Sequence, residues 1–418
     1  MGLYDREFWS AVKILTKVYG KGISVRDIFF SRERKGITSA MVFKLVIETI
    51  RRLNYLDALV GYNMLKRLSL KEKNILRVAL FMRKFLNVEP PKLPTHLRTL
   101  YLKSLKRDPL IDLDDEITAL SLKYYHPRWF IRKLLPVLSR DRLFSILRIN
   151  NLEKEGKWIR VNSIKTSVES FYFKWKQLIP SEFDDIFYAQ KSYLKKMLLS
   201  SDYRNGLFIV QDFSSAAVVY ALDPHEKEHI LDLCAAPGIK TSHIAALTRN
   251  NSLIIATDIS EKRILKMLIL RERLNFDAQI ILGDSTKPPF KEEAFDKILV
   301  DAPCSDTGVF RDRPDLKWNF NPKKLRRVTN LQKALLANAI RLAKKGGIIV
   351  YSVCSLLPDE GEEIIKFALE NFKNIYVDDI NLPRAENGYG GYSFSRKVKR
   401  FFPDTNVDGF FIARLIKS

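Results

Sequence analysis

From Ile230 onward the chain alternates short, unbroken apolar runs with amphipathic helical stretches, and this alternation limits the fold more than any other feature. The runs are Ile230-Leu231-Asp232-Leu233, Leu253-Ile254-Ile255-Ala256-Thr257, Ala278-Gln279-Ile280-Ile281-Leu282, Lys297-Ile298-Leu299-Val300 and Gly347-Ile348-Ile349-Val350-Tyr351. Apolar strands separated by helices predict a parallel sheet covered on both faces, an α/β architecture. A sheet of this kind binds its ligand in the crevice beyond the carboxyl ends of its strands.

Upstream the periodicity is different. Between Asp5 and Val88 apolar residues such as Val12, Leu15 and Val18, then Met41, Leu45, Ile47 and Ile50, recur at three-to-four spacing with few Gly or Pro, which predicts several packed helices. The segment Glu89-Pro90-Pro91-Lys92-Leu93-Pro94 interrupts them as a loop inside the domain, and the helical register resumes near Leu97 and is expected to run to Leu120. From His126 to Ser200 the composition shifts to Arg, Lys, Trp and Tyr with β-prone pieces, Trp158-Ile159-Arg160-Val161-Asn162 the clearest. Three regions are therefore expected: a helical domain over 1–125, a small α/β module over 126–200 and an α/β domain over 201–418.

With 418 residues, 46% hydrophobic and 28% charged, and only 3 cysteines, the chain is neither disordered nor a disulfide scaffold. Lys+Arg 71 against Asp+Glu 48 leaves a net charge of +23. A solvated Lys-rich surface accounts for part of such an excess, but its size favours a polyanionic partner, nucleic acid above all. Basic residues interleaved with Trp129, Phe130, Trp158 and Trp175 are what a surface needs to neutralise phosphates and stack on unpaired bases, although each aromatic taken singly reads more readily as core. The most apolar stretch, Ile348 to Leu357, is broken by Tyr351, Ser352 and Ser355, so no membrane span is expected. Asp5, Arg6 and Glu7 do not resemble a signal peptide, and lone thiols suit a reducing compartment; the expectation is a cytoplasmic protein.

The chemistry gathers at the strand ends. After the first run, Cys234-Ala235-Ala236-Pro237-Gly238-Ile239-Lys240 leads into a helix, and its small residues let a ligand approach the backbone. A dinucleotide fold, and with it an NAD-dependent oxidoreductase, would carry Gly-x-Gly-x-x-Gly here; one Gly is present. Asp258, Asp284 and Asp301 follow the second, third and fourth strands. Singly each reads as a helix cap. Together they suit ribose hydroxyls, an adenine amino group and an ammonium, which describes S-adenosylmethionine better than a phosphate-bearing nucleotide. Cys304 and Cys354 follow the fourth and fifth strands, so both thiols are expected in the same crevice. The three cysteines and five histidines show no metal-ligand spacing, and no metal is expected.

These motifs resemble the RNA cytosine-5 methyltransferases of the Sun and nucleolar-protein type, over nearly the whole chain. The resemblance rests on Cys-Ala-Ala-Pro-Gly at 234–238, Asp-Ala-Pro-Cys-Ser at 301–305 followed by Thr307-Gly308 and Arg313-Pro314-Asp315, Leu331-Gln332, Gly346-Gly347 and the Cys354 strand. Tyr125-His126-Pro127-Arg128-Trp129, Arg160-Val161-Asn162, Val210-Gln211-Asp212 and Asp408-Gly409-Phe410-Phe411-Ile412-Ala413 look like its flanking segments. It implies a Rossmann-like methyltransferase core using S-adenosylmethionine. It further implies Cys354 as the nucleophile on carbon 6 of a cytosine, Cys304 assisting release, and Asp301 serving the donor and the base with Lys240 nearby. Cys234 to Lys240, Asp258, Arg263, Asp284 and Asp301 would then hold the donor, with Cys234 structural. An active Cys354 needs a lowered thiol pKa, for which Lys240 is the candidate cation.

The first 125 residues resemble, in pattern and position, the NusB-like domain of the bacterial ribosomal-RNA branch, which implies an RNA grip and a ribosomal RNA substrate, transfer RNA remaining open. A monomer is expected. The chain departs from the family pattern at Ile239, Val353, Asp306 and Gly361. Ile239 matters most, because a β-branched residue resists positive φ. The departures support one competing reading, an RNA-binding assembly factor with weak or no turnover; DNA cytosine methylation would leave Cys354 without a purpose.

Overall fold

The computed structural model describes residues 4–30, 40–111, 115–319 and 322–418, and its contacts divide the chain into two compact units. One comprises the described residues of Met1–Asn151 and Phe310–Phe320, the other those of Leu152–Val309 and Asn321–Ser418. The division differs from the sequence expectation: the helices Arg128–Leu134 and Arg140–Ile149, placed above in a module beginning at 126, pack with the preceding helices.

The first unit is helical, as its periodicity predicts. Its long helices are Asp5–Lys21, Ala40–Arg51, Leu70–Leu86 and Thr95–Leu105. Ser69 starts the third by a capping box, accepting from the Glu72 backbone N–H at 3.3 Å while Glu72 accepts from the Ser69 N–H at 2.8 Å. Every residue from Asn74 to Met82 is buried, so this helix is the axis of the unit. The Pro-rich segment is a loop, as expected, and the helix after it begins at Thr95. That register does not run to Leu120: the helix ends at Leu105 and the next begins at Glu116. The distant segment 310–319 is fixed here by polar contacts, with Trp318 Nε1 donating to the Ile50 carbonyl at 2.7 Å. Buried Lys317 donates to the Tyr125 carbonyl at 3.1 Å and to Asn151 Oδ1 at 3.0 Å.

The second unit holds two sheets. The smaller is antiparallel, in the order β2-β3-β1-β4, from β1 (Gly156–Val161), β2 (Ile179–Pro180), β3 (Ile186–Gln190) and β4 (Phe208–Val210). The larger contains β5 (His229–Leu233), β6 (Leu253–Asp258), β7 (Gln279–Leu282), β8 (Phe295–Asp301), β9 (Ala343–Val353), β10 (Ile375–Asp378), β11 (Glu386–Asn387), β12 (Lys399–Phe401) and β13 (Phe410–Lys417). Its parallel part runs β7-β6-β5-β8-β9, with β13 added antiparallel to β9. The five apolar runs are the five parallel strands. Their period-2 alternation feeds two cores: Ile230, Leu299, Val350 and Ile412 face the helices Phe213–Leu222 and Ile239–Leu247, while Leu231, Ile298, Ile349 and Phe411 face Pro322–Leu342 and Glu362–Asn371.

Strand order reverses at β5, which lies between β6 and β8, and the crevice opens there. The small sheet is tied to this core by buried polar residues from the flanking motifs. Arg160 donates to Gln211 Oε1 and to Ser242 Oγ, both at 2.8 Å, and Asn162 donates to the carbonyls of Gly206 at 2.9 Å and Leu274 at 2.8 Å. Of the aromatics proposed above for stacking, Phe130, Trp158 and Trp175 are buried and Trp129 is half-buried. Trp158 and Trp175 each spend their indole N–H inside the protein, on the Asn406 carbonyl and on Asp202, so these two are core. Within 126–200 the aromatics that face solvent are Tyr172 and Phe173, beside Lys174 and Lys176.

Candidate active site

The turn after β5 forms the floor of the crevice. Positive φ occurs at Cys234 (64°) and Gly238 (95°), not at Ile239, which opens the helix Ile239–Leu247. The β-branched side chain at 239 is therefore compatible with the turn. At Gly238 a Cβ would come within 2.8 Å of the Met267 side chain, so glycine is required there by space as well as by φ. The Ala235 N–H donates to the Thr257 carbonyl at 2.8 Å, which stitches the turn to β6.

Asp258, at the end of β6, is buried and uses its carboxylate within the turn. It accepts from the Ala236 N–H at 3.2 Å and the Ser260 N–H at 2.9 Å, and pairs with Arg263 at 3.1 Å. Arg263 also donates to the Ala236 carbonyl. These two residues, expected beside the donor, hold its loop in shape. Asp284 is exposed, and hydrogen bonds from the Thr286 N–H and hydroxyl hold its carboxyl below the usual range. Cys234 is pushed up to about 12 by burial and by Asp258, which makes it an inert thiol and agrees with a structural part.

Asp301 ends β8 and accepts from Lys240 Nζ at 2.7 Å and Ser352 Oγ at 2.9 Å. Lys240 also lies over the Phe410 ring, 5.3 Å from its centroid. The lysine is thus paired with Asp301, while the Cys354 sulfur, beside which it was expected, contacts Cys304 and Asp306. Beneath them Asp232 is buried, accepting from Thr241 Oγ1 at 2.6 Å on one oxygen. Burial, with Asp301 and Asp258 nearby, raises its carboxyl to about 7 against that hydrogen bond.

The two thiols meet as the spacing predicts. Parallel pairing sets Asp301 opposite Ser352, so the chain leaves adjacent strands side by side and Cys304 Sγ lies 2.9 Å from Cys354 Sγ. Their third neighbour is a residue that sequence reasoning noted only as a departure. Asp306, at φ 56°, accepts from Cys354 Sγ at 2.9 Å and from Cys304 Sγ at 3.7 Å. The thiol contact to Cys304, burial and the Asp306 carboxylate push Cys354 well above the ordinary thiol range, the reverse of the lowered value expected. Cys304 is lowered by its contact with Cys354 but, through burial, Asp306 and Glu360, ends at about 11. These three side chains lie within 4.8 Å of one another, a cluster that linear spacing did not reveal.

Glu360 was missed. Buried below the thiols, it accepts from the Ser305 N–H at 2.8 Å, from both the Ser305 and Ser355 hydroxyls, and from Gln332 Nε2 at 3.1 Å. Gln332 also donates to the Pro303 carbonyl at 2.8 Å, so one carboxylate and one amide hold both cysteine loops. The remaining departures have local reasons. Val353 is buried in the sheet core, and a Cβ at Gly361 would come within 2.5 Å of Arg400 Nη2 and 2.9 Å of the Phe411 ring.

A model of the 16S rRNA methyltransferase RsmB/F family matches residues 219–416. Ribosomal RNA small subunit methyltransferase B of Yersinia enterocolitica is 33% identical over 291 residues, 66% of this chain and 67% of that protein. Its namesake in Escherichia fergusonii is 32% identical over 316 residues, 72% of this chain and 68% of that protein. The chain belongs to the RsmB/F family. As an RsmB/F methyltransferase it is an enzyme with a Rossmann-like core whose cofactor is S-adenosylmethionine. The crystal structure of PH0851 is 25% identical, with a TM-score of 0.82 over 100% of both chains. NSun6 from Pyrococcus horikoshii with SFG, 24% identical, shares the fold at a TM-score of 0.63 over 70% of this chain and 98% of its own. Among the described residues, no helix of this RsmB/F protein is long and apolar enough to cross a membrane.

Proposed function

We propose that the protein methylates carbon 5 of a cytosine in RNA, ribosomal RNA of the small subunit first among the candidates, through a covalent bond between Cys354 and the base. The observation that carries this reading is the pair of thiols, 2.9 Å apart at the ends of neighbouring strands, next to the turn of the donor crevice. Carbon 5 of cytosine is a poor nucleophile. Addition of the Cys354 sulfur to carbon 6 turns it into an enamine carbon, dividing one hard step into two easier ones. S-adenosylmethionine, when bound, supplies an electrophilic methyl group. Asp301, held by Lys240 and Ser352, orients the base and the donor, and Cys304 assists the release of Cys354 once the carbon 5 proton has gone.

The residues of the crevice fit such a donor: Gly238 at φ 95° keeps the turn open to close approach, and Asp258, Asp284 and Asp301 follow three consecutive parallel strands. In the same reading, the helical domain and the module after it bind the RNA. Exposed Lys66, Arg67, Arg98, Lys103 and Lys106 supply cations on the first, and Phe173 with Lys174 and Lys176 offers the second a ring on which a base can stack.

The test is transfer of labelled methyl from S-adenosylmethionine to unmodified total RNA, with bisulfite sequencing to locate the product. Wild type should label a single cytosine and Cys354→Ala none, while donor binding is unchanged in the variant. Transfer that survives Cys354→Ala would remove the covalent mechanism.

A further inference from the structure

We infer that Asp306 is the proton acceptor of the nucleophilic step, taking the proton of the Cys354 thiol as its sulfur attacks the base and returning it when that sulfur leaves. This deepens the function proposed above and rests on it. The position is one where the chain departs from the pattern it resembles, so the assignment belongs to this protein's own residues.

The geometry singles out this carboxylate. Cys354 Sγ donates to Asp306 Oδ1 at 2.9 Å, and the positive φ of Asp306 is what turns the side chain back over both thiols. Among the other titratable groups around Cys354, Lys240 and Asp301 are paired with each other. Glu360 is occupied by two serine hydroxyls, an amide N–H and Gln332, and the Tyr351 hydroxyl donates to the Glu360 carbonyl. Cys304 is itself a raised thiol. Among the described residues, then, Asp306 is the carboxylate in direct contact with the attacking sulfur.

The charge works in two opposite directions. At rest the Asp306 carboxylate disfavours a thiolate beside it, and with burial and Cys304 it keeps Cys354 protonated. During attack it relieves that same thiol of its proton. The S–H bond breaks and an O–H bond forms on Asp306. The sulfur pair forms the S–C6 bond, and the C5–C6 π pair moves to carbon 5, which bonds the methyl group as the methyl–sulfur bond of the donor breaks and its pair stays on the donor sulfur. On release the carbon 5 proton leaves to a separate base, its bonding pair restores the double bond, the S–C6 pair returns to sulfur, and Asp306 gives back its proton. Apart from the methyl donor and a water molecule to take the carbon 5 proton, no reagent is needed.

The opposed directions make the test selective. Asp306→Asn keeps shape and hydrogen bonding but removes charge and basicity. Two quantities are read on the full chain: the rate of Cys354 alkylation by iodoacetamide as a function of pH, and the single-turnover rate of methyl transfer to unmodified total RNA. The variant should alkylate faster at neutral pH, with its titration midpoint shifted to lower pH, yet transfer methyl groups slower by about 10²-fold, the usual worth of a general base. Unchanged donor binding excludes a folding defect. If alkylation and transfer both accelerate, Asp306 acts only as a charge; if transfer is unchanged, it has no part. Either result overturns the assignment while Cys354→Ala remains inactive. Transfer by Cys354→Ala, or none by wild type, removes the covalent reading and this inference with it.

Discussion

At the residue scale the site is governed by where charge is withheld from water. Cys304 is the clearest case: its thiol is held at about 11, so near neutral pH it is a proton carrier and not a competing nucleophile. Cys304→Ala should therefore leave the first bond to the base intact and slow its release. A protein–RNA adduct that survives denaturing electrophoresis is the expected product, and normal turnover without an adduct would show release to be independent of Cys304. Asp232 bears on stability instead. Its carboxyl rises to about 7 in the folded protein against about 3.9 in an unfolded chain, so between those values the native state holds a proton that the unfolded state has lost. Stability through this group is full below the lower value, declines as pH rises through the window and levels off above 7. Thermal unfolding from pH 4 to 8 should find Asp232→Asn gaining on wild type as pH rises; a constant difference would mean that the native carboxyl is already ionised. The sequence displayed both residues plainly, but the burial and neighbours that set their protonation come from strands remote in the chain.

At the element scale the parallel sheet was legible because each strand is apolar on both sides, and two thiols, Cys304 three residues and Cys354 one residue beyond the ends of adjacent strands, then converge. Asp306 and Glu360 were not legible as site residues, for a physical reason. Neither lies on a periodic element; one is turned by a positive φ, and the other reaches its serine partners only after the chain doubles back through a 3-10 turn at Pro358–Glu360. For the aromatic residues the core reading, favoured for each taken singly, holds at Trp158 and Trp175, which have the composition of a stacking surface and the burial of a core. The cysteine loops owe their position to Glu360, one carboxylate receiving four donors. Glu360→Ala strands these donors in a buried setting, at a cost on the order of 3 kcal/mol. Denaturant unfolding should register that loss, and methyl transfer should fall further than donor binding, because the groups released carry Cys304 and Cys354. Equal loss of both would mean that Glu360 supports the whole crevice. A second constraint lies at Gly308, whose Cβ would stand 2.0 Å from the Gly409 carbonyl oxygen; the loop passes β13 too closely for any side chain.

For the whole molecule, the determining quantity is the net charge of +23, because it is far larger than the crevice requires. Within the site there is no positive excess: Lys240 is matched by Asp301 and Arg263 by Asp258, and the carboxyls of Asp284, Asp306 and Glu360 come in addition. The excess therefore lies elsewhere, on exposed lysines and arginines of the helical unit and around the small sheet. A surface of this kind neutralises phosphates and releases their counterions, so RNA affinity should fall steeply with salt, whereas a small donor that meets only a few charges in a crevice should respond far less. With six to ten phosphates contacted, RNA affinity drops by about 10³ to 10⁵ between 50 and 200 mM salt. Filter binding of unmodified RNA across that range, beside donor binding by calorimetry, separates the two. A steep RNA slope with a much weaker donor response assigns the charge to RNA. A shallow RNA slope would mean that the basic surface is only solvated, and that recognition rests on base contacts near the crevice.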